Sequence, residues 1–362
     1  MVQARSVPGA TERGAEPGGP PAWYPRPKMT SQAPPARRSG LFDRYSVLFI
    51  TLAAALWAAD AYFRPALAKQ LSASQIVLVE DLLISLCFIP VARRVARELR
   101  TASWRSWLAL AVIAVGPQAF ATVLFTRSLT YASSPGALSE VYLLYLLQPV
   151  FGATMAWLFL RERRRPFFWP LAGVALAGAA LIVFSTNPAA PSAELTAAFF
   201  VLGAVILWAA GTVLGRYALA DISFASTSAM RFTLALPVLL VLMFTDRGVS
   251  GFTQYTIGQL PSFLGIALIP GLVAMVLYYR ALSSTPASIS TFAELGYPAA
   301  LFLVFSLPKP YGYGTPLHPL EIVGAVILVV AVTSLNFLKH RDVVESPRSR
   351  GRFRLASEAT EG

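Results

Sequence analysis

The recurrence of long apolar segments constrains this chain more than any other feature of its sequence. The hydrocarbon core of a bilayer is about 30 Å thick, and a helix needs about 20 consecutive apolar residues to cross it. Segments near that length recur along the chain, five in each half. Their approximate bounds are 45–67, 75–91, 107–126, 136–160, 167–184, 195–214, 226–244, 263–282, 289–307 and 320–338. The pattern predicts an all-α membrane protein with ten transmembrane helices.

The distribution of charge supports this class and predicts an orientation. Charged residues make up only 13% of the chain, whereas soluble domains carry about 25%. Arginines cluster between segments 2 and 3 and between segments 4 and 5, and cytoplasmic loops retain such cations. Both termini are therefore expected in the cytoplasm, with the chain in the plasma (cytoplasmic or inner) membrane. This topology accounts for the net charge of +12, so the lipid bilayer is an expected partner and nucleic acid is not.

The two ends of the chain differ in composition from the apolar segments. Residues 1–44 are rich in proline, glycine and charge, which predicts a disordered cytoplasmic segment. Met29 lies closer to the first apolar segment than Met1 does, and a start of translation at Met29 is a hypothesis. Residues 339–362 are basic and are expected to form a cytoplasmic tail.

The chain carries no sequence signature of catalysis or metal binding. Cys87 is the single cysteine and lies inside the second apolar segment, and the two histidines, His318 and His340, are separated along the chain. The P-loop, HExxH and GxSxG patterns do not occur in the sequence. We therefore expect no enzyme activity, no metal and no cofactor.

Similar stretches recur at matching places in the two halves, residues 45–186 and 187–338. LWAADAYFRPALA in segment 1 resembles LWAAGTVLGRYALA in segment 6, and PQAFATVLFTRSL in segment 3 resembles PGLVAMVLYYRAL in segment 8. Because each half holds an odd number of segments, the halves are expected to enter the bilayer from opposite sides. Such inverted repeats allow a site between them to face each side of the membrane in turn. The matched residues are Trp57 with Trp208, Pro117 with Pro270, Arg127 with Arg280, and Pro149 with Pro298.

These motifs resemble those of the drug/metabolite transporter superfamily, in its EamA-like branch of ten-helix carriers. The resemblance is carried by SSPGALSEVYLLYLLQPVFGATMAWLFLRER, TSAMRFTLALPVLLV and LYYRALSSTPASISTFAELGYPAALFLV, together with segment 6. It implies a secondary carrier of amino acids, other small metabolites or drugs, often acting in export, with a central cavity between the halves. In one departure from the family pattern, Arg231 in segment 7 is matched in segment 2 by Glu80 and Asp81.

Charged residues lie within or at the ends of the apolar segments, where burial of a charge costs at least about 2.5–3.5 kcal/mol. Arginines near helix ends can extend to the lipid headgroups, which is one interpretation of every arginine in this set except Arg231. Arg231 and Asp81 either pair across helices or lie near an interface. Asp60 precedes Arg64 by four residues, so an ion pair within one helix is an alternative to a binding site. The acids are Asp60, Glu80, Asp81, Glu140 and Glu294, and the bases are Arg64, Arg127, Arg216, Arg231 and Arg280.

Polar side chains at helical spacing identify candidate residues for a substrate and ion pathway. Glu140 and Gln148 share a face of segment 4, and Glu294 and Tyr297 share a face of segment 9. Tyrosines can line a cavity with their rings while their hydroxyls bond polar groups. In the alternative interpretation, the tyrosines form an interfacial belt and Glu140 lies near the outer interface. An unpaired Asp60 or Glu294 could carry a coupling proton, since burial favours the neutral form. The predicted pathway residues are Trp57, Asp60, Glu140, Tyr145, Gln148, Trp208, Tyr279, Glu294 and Tyr297.

Pro149 and Pro298 occupy matching places within segments 4 and 9. Proline removes a backbone hydrogen bond, and such breaks are tolerated in a membrane where neighbours or a cavity satisfy the freed carbonyl. We expect both prolines to form bends that let these segments move, the alternative being static kinks. Segments 5 and 10 are expected to support the bundle through close contacts of small residues.

The sequence favours a secondary transporter that moves a small-molecule substrate across the membrane by alternating access. Amino acids or related amphipathic solutes are the expected substrates, and export is the suggested direction. Proton coupling and a homodimer are further hypotheses. The alternative is a non-transporting membrane receptor or scaffold, although neither would need carboxylates within the membrane.

Overall fold

The computed structural model describes residues 40–131, 141, 144–162, 164, 166–186, 195–308, 314 and 319–344. The regular structure in these ranges is helical throughout. Three sequence predictions lie outside the described residues: the N-terminal segment up to residue 39, which contains Met29, the basic tail beyond residue 344, and Glu140.

The helices of the first half follow the apolar segments closely. A π-helical stretch, Ala114–Phe120, joins α6 to α7, and a short 3-10 turn, Ile89–Val91, lies between α4 and α5. The helices are α1 Leu41–Arg44, α2 Ser46–Trp57, α3 Asp60–Ala68, α4 Ala73–Cys87, α5 Ala92–Thr101, α6 Trp104–Ile113, α7 Ala121–Tyr131, α8 Gln148–Leu160 and α9 Phe168–Thr186.

The second half repeats several of these features. A π-helical stretch, Ala267–Val273, joins α13 to α14, and 3-10 turns Val249–Gln254 and Ile257–Gln259 precede α13. The last helix continues to Val344, past the predicted boundary at residue 338, because no glycine or proline interrupts the chain before Pro347. The helices are α10 Leu195–Ala218, α11 Phe224–Thr233, α12 Leu236–Arg247, α13 Leu260–Ile266, α14 Ala274–Leu282, α15 Ala287–Ala293, α16 Gly296–Ser306 and α17 Pro319–Val344.

Among the described residues, five helical spans are long and apolar enough to cross a membrane. The pair Ala73–Cys87 and Ile89–Thr101, bent by 45°, makes a sixth if it counts as one span. Three further apolar helices, Gln148–Leu160, Phe168–Leu181 and Ile322–Leu335, are shorter. The five spans are Ser46–Ala68, Trp104–Tyr131, Thr196–Ala218, Phe224–Arg247 and Ile257–Leu282. The chain is thus a multi-pass helical membrane protein.

Prolines lie at the interruptions of these helices. Pro149 is the second residue of α8 and Pro298 is the third residue of α16. The first turn of a helix tolerates proline, because its amide there has no partner within the helix. Pro117 and Pro270 lie inside the two π-helical stretches. Proline cannot donate a backbone hydrogen bond, and local widening of a helix accommodates that loss.

The helices pack mainly across the two halves of the chain. The α2 helix packs against α14 and α16, and α10 packs against α7 and α8. The α9 and α17 helices form the most extensive pair. They approach so closely at Gly178 that an added Cβ would lie 2.9 Å from the carbonyl oxygen of Gly324.

Carboxylates in the connections between the apolar segments bind the amino-terminal ends of helices in the opposite half, and we call these contacts the loop clasps. Glu98 accepts hydrogen bonds from the Ser223 backbone amide (2.5 Å) and the Ser226 hydroxyl (2.5 Å), at the start of α11. Glu162 accepts from the backbone amides of Ala287 and Ser288, both at 3.0 Å. Carboxylates stabilise helix amino termini because they satisfy free amides and complement the helix dipole.

Two further carboxylates complete the set of loop clasps. Asp221 accepts from the Ser103 amide (2.8 Å) and the Ser106 hydroxyl (2.9 Å), at the start of α6. Asp246 lies at the carboxyl-terminal end of α12, before the connection to segment 8, and accepts from the hydroxyl of Ser74 at 2.8 Å, at the start of α4. The loop clasps therefore join the two halves through the ends of four helices.

Candidate functional site

Both halves of the chain contribute side chains to a central cavity of about 140 Å³. Since a single water molecule needs only about 10–15 Å³ by this measure, the cavity has room for a small solute. Its lining residues are Trp57, Asp60, Arg64, Glu80, Gln118, Thr122, Phe125, Tyr145, Gln148, Trp208, Thr212, Arg231, Phe232, Pro270, Gly271, Met275, Tyr278, Glu294 and Tyr297.

One part of the cavity wall is an arginine shared by two carboxylates. Arg64 Nε donates to Asp60 Oδ2 at 2.5 Å, and Arg64 Nη2 donates to Glu80 Oε2 at 2.8 Å. Arg64 and Glu80 are each only 6% exposed. The buried group formed by these three residues carries one more negative than positive charge when all are ionised.

A second group of polar side chains is joined by hydrogen bonds through a glutamine and connects the two halves. Gln118 donates from Nε2 to Asp81 Oδ1 at 2.9 Å and accepts from Arg231 Nε at 2.5 Å. Arg231 Nη1 also donates to the hydroxyl of Tyr279 at 3.1 Å. Asp81 and Arg231 are therefore linked through Gln118 and do not form a direct ion pair within hydrogen-bonding distance.

Glu294 accepts hydrogen bonds from neutral donors in the described part of the chain. Tyr278 donates its hydroxyl to Glu294 Oε1 at 2.7 Å, and Thr212 donates to the same oxygen at 3.1 Å. Gln148 donates from Nε2 to Glu294 Oε2. Glu294 is 2% exposed, and among the described residues no arginine forms an ion pair with it.

Aromatic side chains form the apolar walls of the cavity. The rings of Tyr145 and Tyr297 lie 5.0 Å apart, and Trp208 lies 5.1 Å from Phe125. On another side, Trp57 lies 5.4 Å from Tyr278. Such walls accept a flat or apolar part of a solute.

Interruptions of the helices bring several polar side chains to the cavity. Trp57 ends α2 and Asp60 begins α3, while Gln148 begins α8. Glu294 lies between α15 and α16, directly after Ala293. Backbone groups freed at such breaks need partners, and within a membrane they are tolerated where they meet a cavity or neighbouring protein.

Most of the pathway residues predicted from the sequence lie together on the cavity wall. Tyr279 does not line it: this side chain is fully buried and contacts Arg231 behind the wall, while its neighbour Tyr278 reaches the cavity. Glu140 lies outside the described residues. The predicted residues on the wall are Trp57, Asp60, Tyr145, Gln148, Trp208, Glu294 and Tyr297.

Sequence reasoning missed the uncharged polar residues of the site. Gln118, Thr122 and Thr212 line the cavity, but a single uncharged polar residue in an apolar helix often bonds its own backbone and carries little signal.

The predicted ion pair of Arg64 with Asp60 is present. Arg64 is buried in this ion-paired group and does not extend to the headgroups. The side chains of Arg127 and Arg280 are 41% and 34% exposed and pair with Asp246 and Asp43.

Several buried polar atoms of the cavity wall lack a partner among the described protein groups. They include Arg64 Nη1, a donor, and Gln148 Oε1, an acceptor. Asp60 Oδ1 is also without one. Since buried polar atoms are rarely left unpaired, these atoms are suited to bind a polar solute or water. Within the described residues, no cluster of three histidine, cysteine or acidic residues is placed to hold a metal ion.

Comparison with known proteins identifies the family. The model of the EamA-like transporter family matches residues 44–184 and 195–337. The chain therefore belongs to the EamA-like family of the drug/metabolite transporters, and it is a membrane transporter and not an enzyme. Membership also decides against the receptor or scaffold alternative.

Known proteins similar to this chain include a named transporter and a protein of solved structure. The riboflavin transporter ImpX of Fusobacterium nucleatum subsp. nucleatum is 27% identical over 206 residues, which cover 56% of this chain and 67% of that protein. A protein of known crystal structure shares the fold with a TM-score of 0.62 and 14% identity, over 83% of this chain and 99% of that one.

Proposed function

We propose that this transporter is a secondary carrier in which two inverted five-helix repeats, residues 45–186 and 187–338, alternate about the central cavity. The packing of the helices supports this proposal most directly. The contacts of α2 with α14 and α16 match those of α10 with α7 and α8 when the two halves are exchanged. The pairs α4 with α12 and α9 with α17 also join equivalent segments.

Local features of the helices support the same symmetry. Each half has a π-helical stretch containing a proline, at Pro117 and Pro270. Each half also has a proline in the first turn of a helix that faces the cavity, at Pro149 and Pro298. On this account ten segments cross the bilayer, with the short and interrupted helices completing the spans that are too short alone. Pro149 and Pro298 would form the bends about which segments 4 and 9 move.

Charge balance favours proton coupling. The cavity and its polar surroundings hold four carboxyl groups, of Asp60, Glu80, Asp81 and Glu294, against the guanidinium groups of Arg64 and Arg231. Uncompensated buried charge is costly, so the excess carboxyl groups should bind protons or cations. Asp60 is paired with Arg64, whereas the hydrogen-bond donors to Glu294 among the described residues are neutral. Of the two candidates from the sequence, we therefore assign the coupling proton to Glu294.

The lining residues fit amphipathic solutes. Unpartnered polar atoms of both kinds, such as Arg64 Nη1 and Gln148 Oε1, suit the polar head of an amino acid or related metabolite, and the aromatic walls suit its apolar part. A flat heteroaromatic solute is a second candidate, because the similar Fusobacterium protein is named a riboflavin transporter and because aromatic rings surround the cavity.

The membrane and orientation are proposed from the loop charges. Arg93, Arg94, Arg97 and Arg100 lie on α5, which connects segments 2 and 3, and a second arginine-rich connection follows segment 4. The positive-inside rule then favours the plasma (inner) membrane with both termini in the cytoplasm. Export as the direction of transport and assembly as a homodimer remain proposals of the sequence.

Solute flux in proteoliposomes tests this function. Wild-type protein would be assayed with labelled amino acids, small amines and riboflavin, with and without an imposed pH gradient. We expect flux of an amphipathic solute that follows the gradient and loses that dependence in Glu294→Gln. Asp43→Asn, which removes a partly exposed carboxylate outside the cavity, serves as the control and should retain gradient-driven flux. Flux indifferent to the gradient in the wild type would contradict proton coupling.

A further inference from the structure

Three arginines form a stripe along the short surface helix α5. Arg93, Arg97 and Arg100 are four and three residues apart, so they share one helical face, and all three are exposed. Val95 and Leu99 lie on the opposite face and are buried against the protein. We call Arg93, Arg97 and Arg100 the arginine stripe.

The arginine stripe has no acidic partner among the described residues. The acidic residue of α5 itself, Glu98, is already bound to Ser223 and Ser226 in a loop clasp. Like charges three or four residues apart on a helix repel each other. The stripe is therefore a site of uncompensated positive charge that an external anion would stabilise.

Neighbouring side chains place the stripe near the membrane surface. The α4 helix and the segment that contains α5 meet at an angle of 45°, directly after an apolar span. Ile89 and Trp104 lie at the two ends of α5 and are 62% and 70% exposed. Exposed aliphatic and tryptophan side chains beside arginines are typical of the boundary between acyl chains and headgroups.

We propose that the arginine stripe binds the headgroups of anionic phospholipids. Guanidinium groups match phosphate oxygens with two parallel hydrogen bonds, and clustered arginines next to a transmembrane segment attract anionic lipid. This site is separate from the cavity and does not depend on which solute is transported.

The test is lipid binding to the full-length protein in detergent micelles, measured by native mass spectrometry. The probes are short-chain phosphatidylglycerol and phosphatidylcholine. We expect the wild type to prefer phosphatidylglycerol, and Arg97→Gln to weaken its binding about fivefold. The triple Arg→Gln variant of the stripe should lose the preference, whereas the triple Arg→Lys variant should keep much of it.

A matched control separates the stripe from general basicity. Replacing Arg348, Arg350, Arg352 and Arg354 of the tail by glutamine removes more charge than the triple variant does, and it should leave the preference intact. Loss of the preference in the tail variant, or its persistence in the triple Arg→Gln variant, would overturn the proposal. So would equal competition by free glycerol phosphate. The thermal midpoint of each variant verifies that it is folded.

Discussion

Gln148 donates a hydrogen bond to Glu294, and each residue lies where its helix is interrupted. Glu294 lies four residues before Pro298, and the residue four before Pro149 is Tyr145. The repeat thus matches Glu294 with Tyr145 and Gln148 with Tyr297, and all four side chains line the cavity. The position that a buried carboxylate occupies in one half is therefore occupied by a phenol in the other half. This difference makes the site chemically asymmetric.

Replacing Arg64 with methionine should strongly destabilise the protein. The change leaves the buried carboxylates of Asp60 and Glu80 without their cation, and breaking such a buried group costs about 3–5 kcal/mol. Unfolding in detergent would measure the effect. Arg127→Met is the control, because the pair of Arg127 with Asp246 is more exposed, and it should cost at most about 1 kcal/mol. Equal effects of the two variants would contradict the prediction.

Gln118→Met should uncouple Asp81 from Arg231. Methionine keeps the volume but removes both hydrogen bonds of the bridge, and each buried group left unpaired costs about 1–3 kcal/mol. Gln254→Met, which removes a 3.1 Å bond to Gln75 near the surface, should cost less. The free energy of unfolding of the two variants decides this, and a Gln118 variant as stable as the Gln254 variant would argue against the bridge.

Gly152 marks a close approach of α8 to α15. A Cβ at Gly152 would overlap the side chain of Thr291, whereas a Cβ at Gly173 has no neighbour within 4 Å. Gly152→Ala should therefore cost about 1–3 kcal/mol. Gly173→Ala should be neutral or stabilising by up to about 1 kcal/mol, as expected for alanine in a helix. The thermal midpoint should fall in Gly152→Ala and should stay constant or rise in Gly173→Ala. A stabilised Gly152 variant would refute the packing.

The Glu162 clasp should weaken in acid. Burial alone would raise the pKa of Glu162, but the Arg164 charge and hydrogen bonds from Ser288 outweigh it and lower that pKa below the ordinary 4.5. The ionised clasp therefore stabilises the folded protein above about pH 4.5, and this contribution disappears as the pH falls through the lowered pKa.

The measurement is the thermal midpoint between pH 3 and pH 7. Glu162→Gln should lower the midpoint at pH 7, because losing a helix cap costs about 1 kcal/mol of folding stability. Its difference from the wild type should shrink as the pH falls below about 4.5. A difference that stays constant over the whole range would show that the charge of Glu162 contributes nothing.

The apolar segments and the repeat could be predicted because both depend on long patterns. Hydropathy over about 20 residues is a strong signal, and the described helices follow those segments closely. The sequence repeat matches Trp57 with Trp208, and both side chains line the cavity. The described residues give five apolar spans, or six with the bent pair, because interruptions at Glu294 and before Gln148 divide segments 9 and 4 into short pieces.

Individual partners could not be predicted, because they depend on contacts between distant segments. Nothing in segment 1 indicates that Arg64 also binds Glu80, sixteen residues away on the next helix. Adjacent residues on a helix point about 100° apart, so the sequence could not tell that Tyr278, and not Tyr279, faces the cavity. Thr212 was missed for a related reason, since its role depends on Glu294 from another helix.

Reversible cross-linking of the loop clasps tests alternating access most directly. In a Cys87→Ser background, Glu98→Cys with Ser226→Cys would connect the Glu98 clasp. Ser74→Cys with Asp246→Cys would connect the Asp246 clasp. A short thiol-specific cross-linker that a reductant can cleave would join each pair. The single-cysteine variants serve as controls.

The readout is proteoliposome flux of the solute that the panel identifies. If the two halves alternate about the cavity, either cross-link alone should stop flux, and reduction should restore it. Each single-cysteine variant should remain active after the same treatment. Undiminished flux with either clasp fully cross-linked would contradict alternating access, because a carrier of this kind must separate both ends in turn.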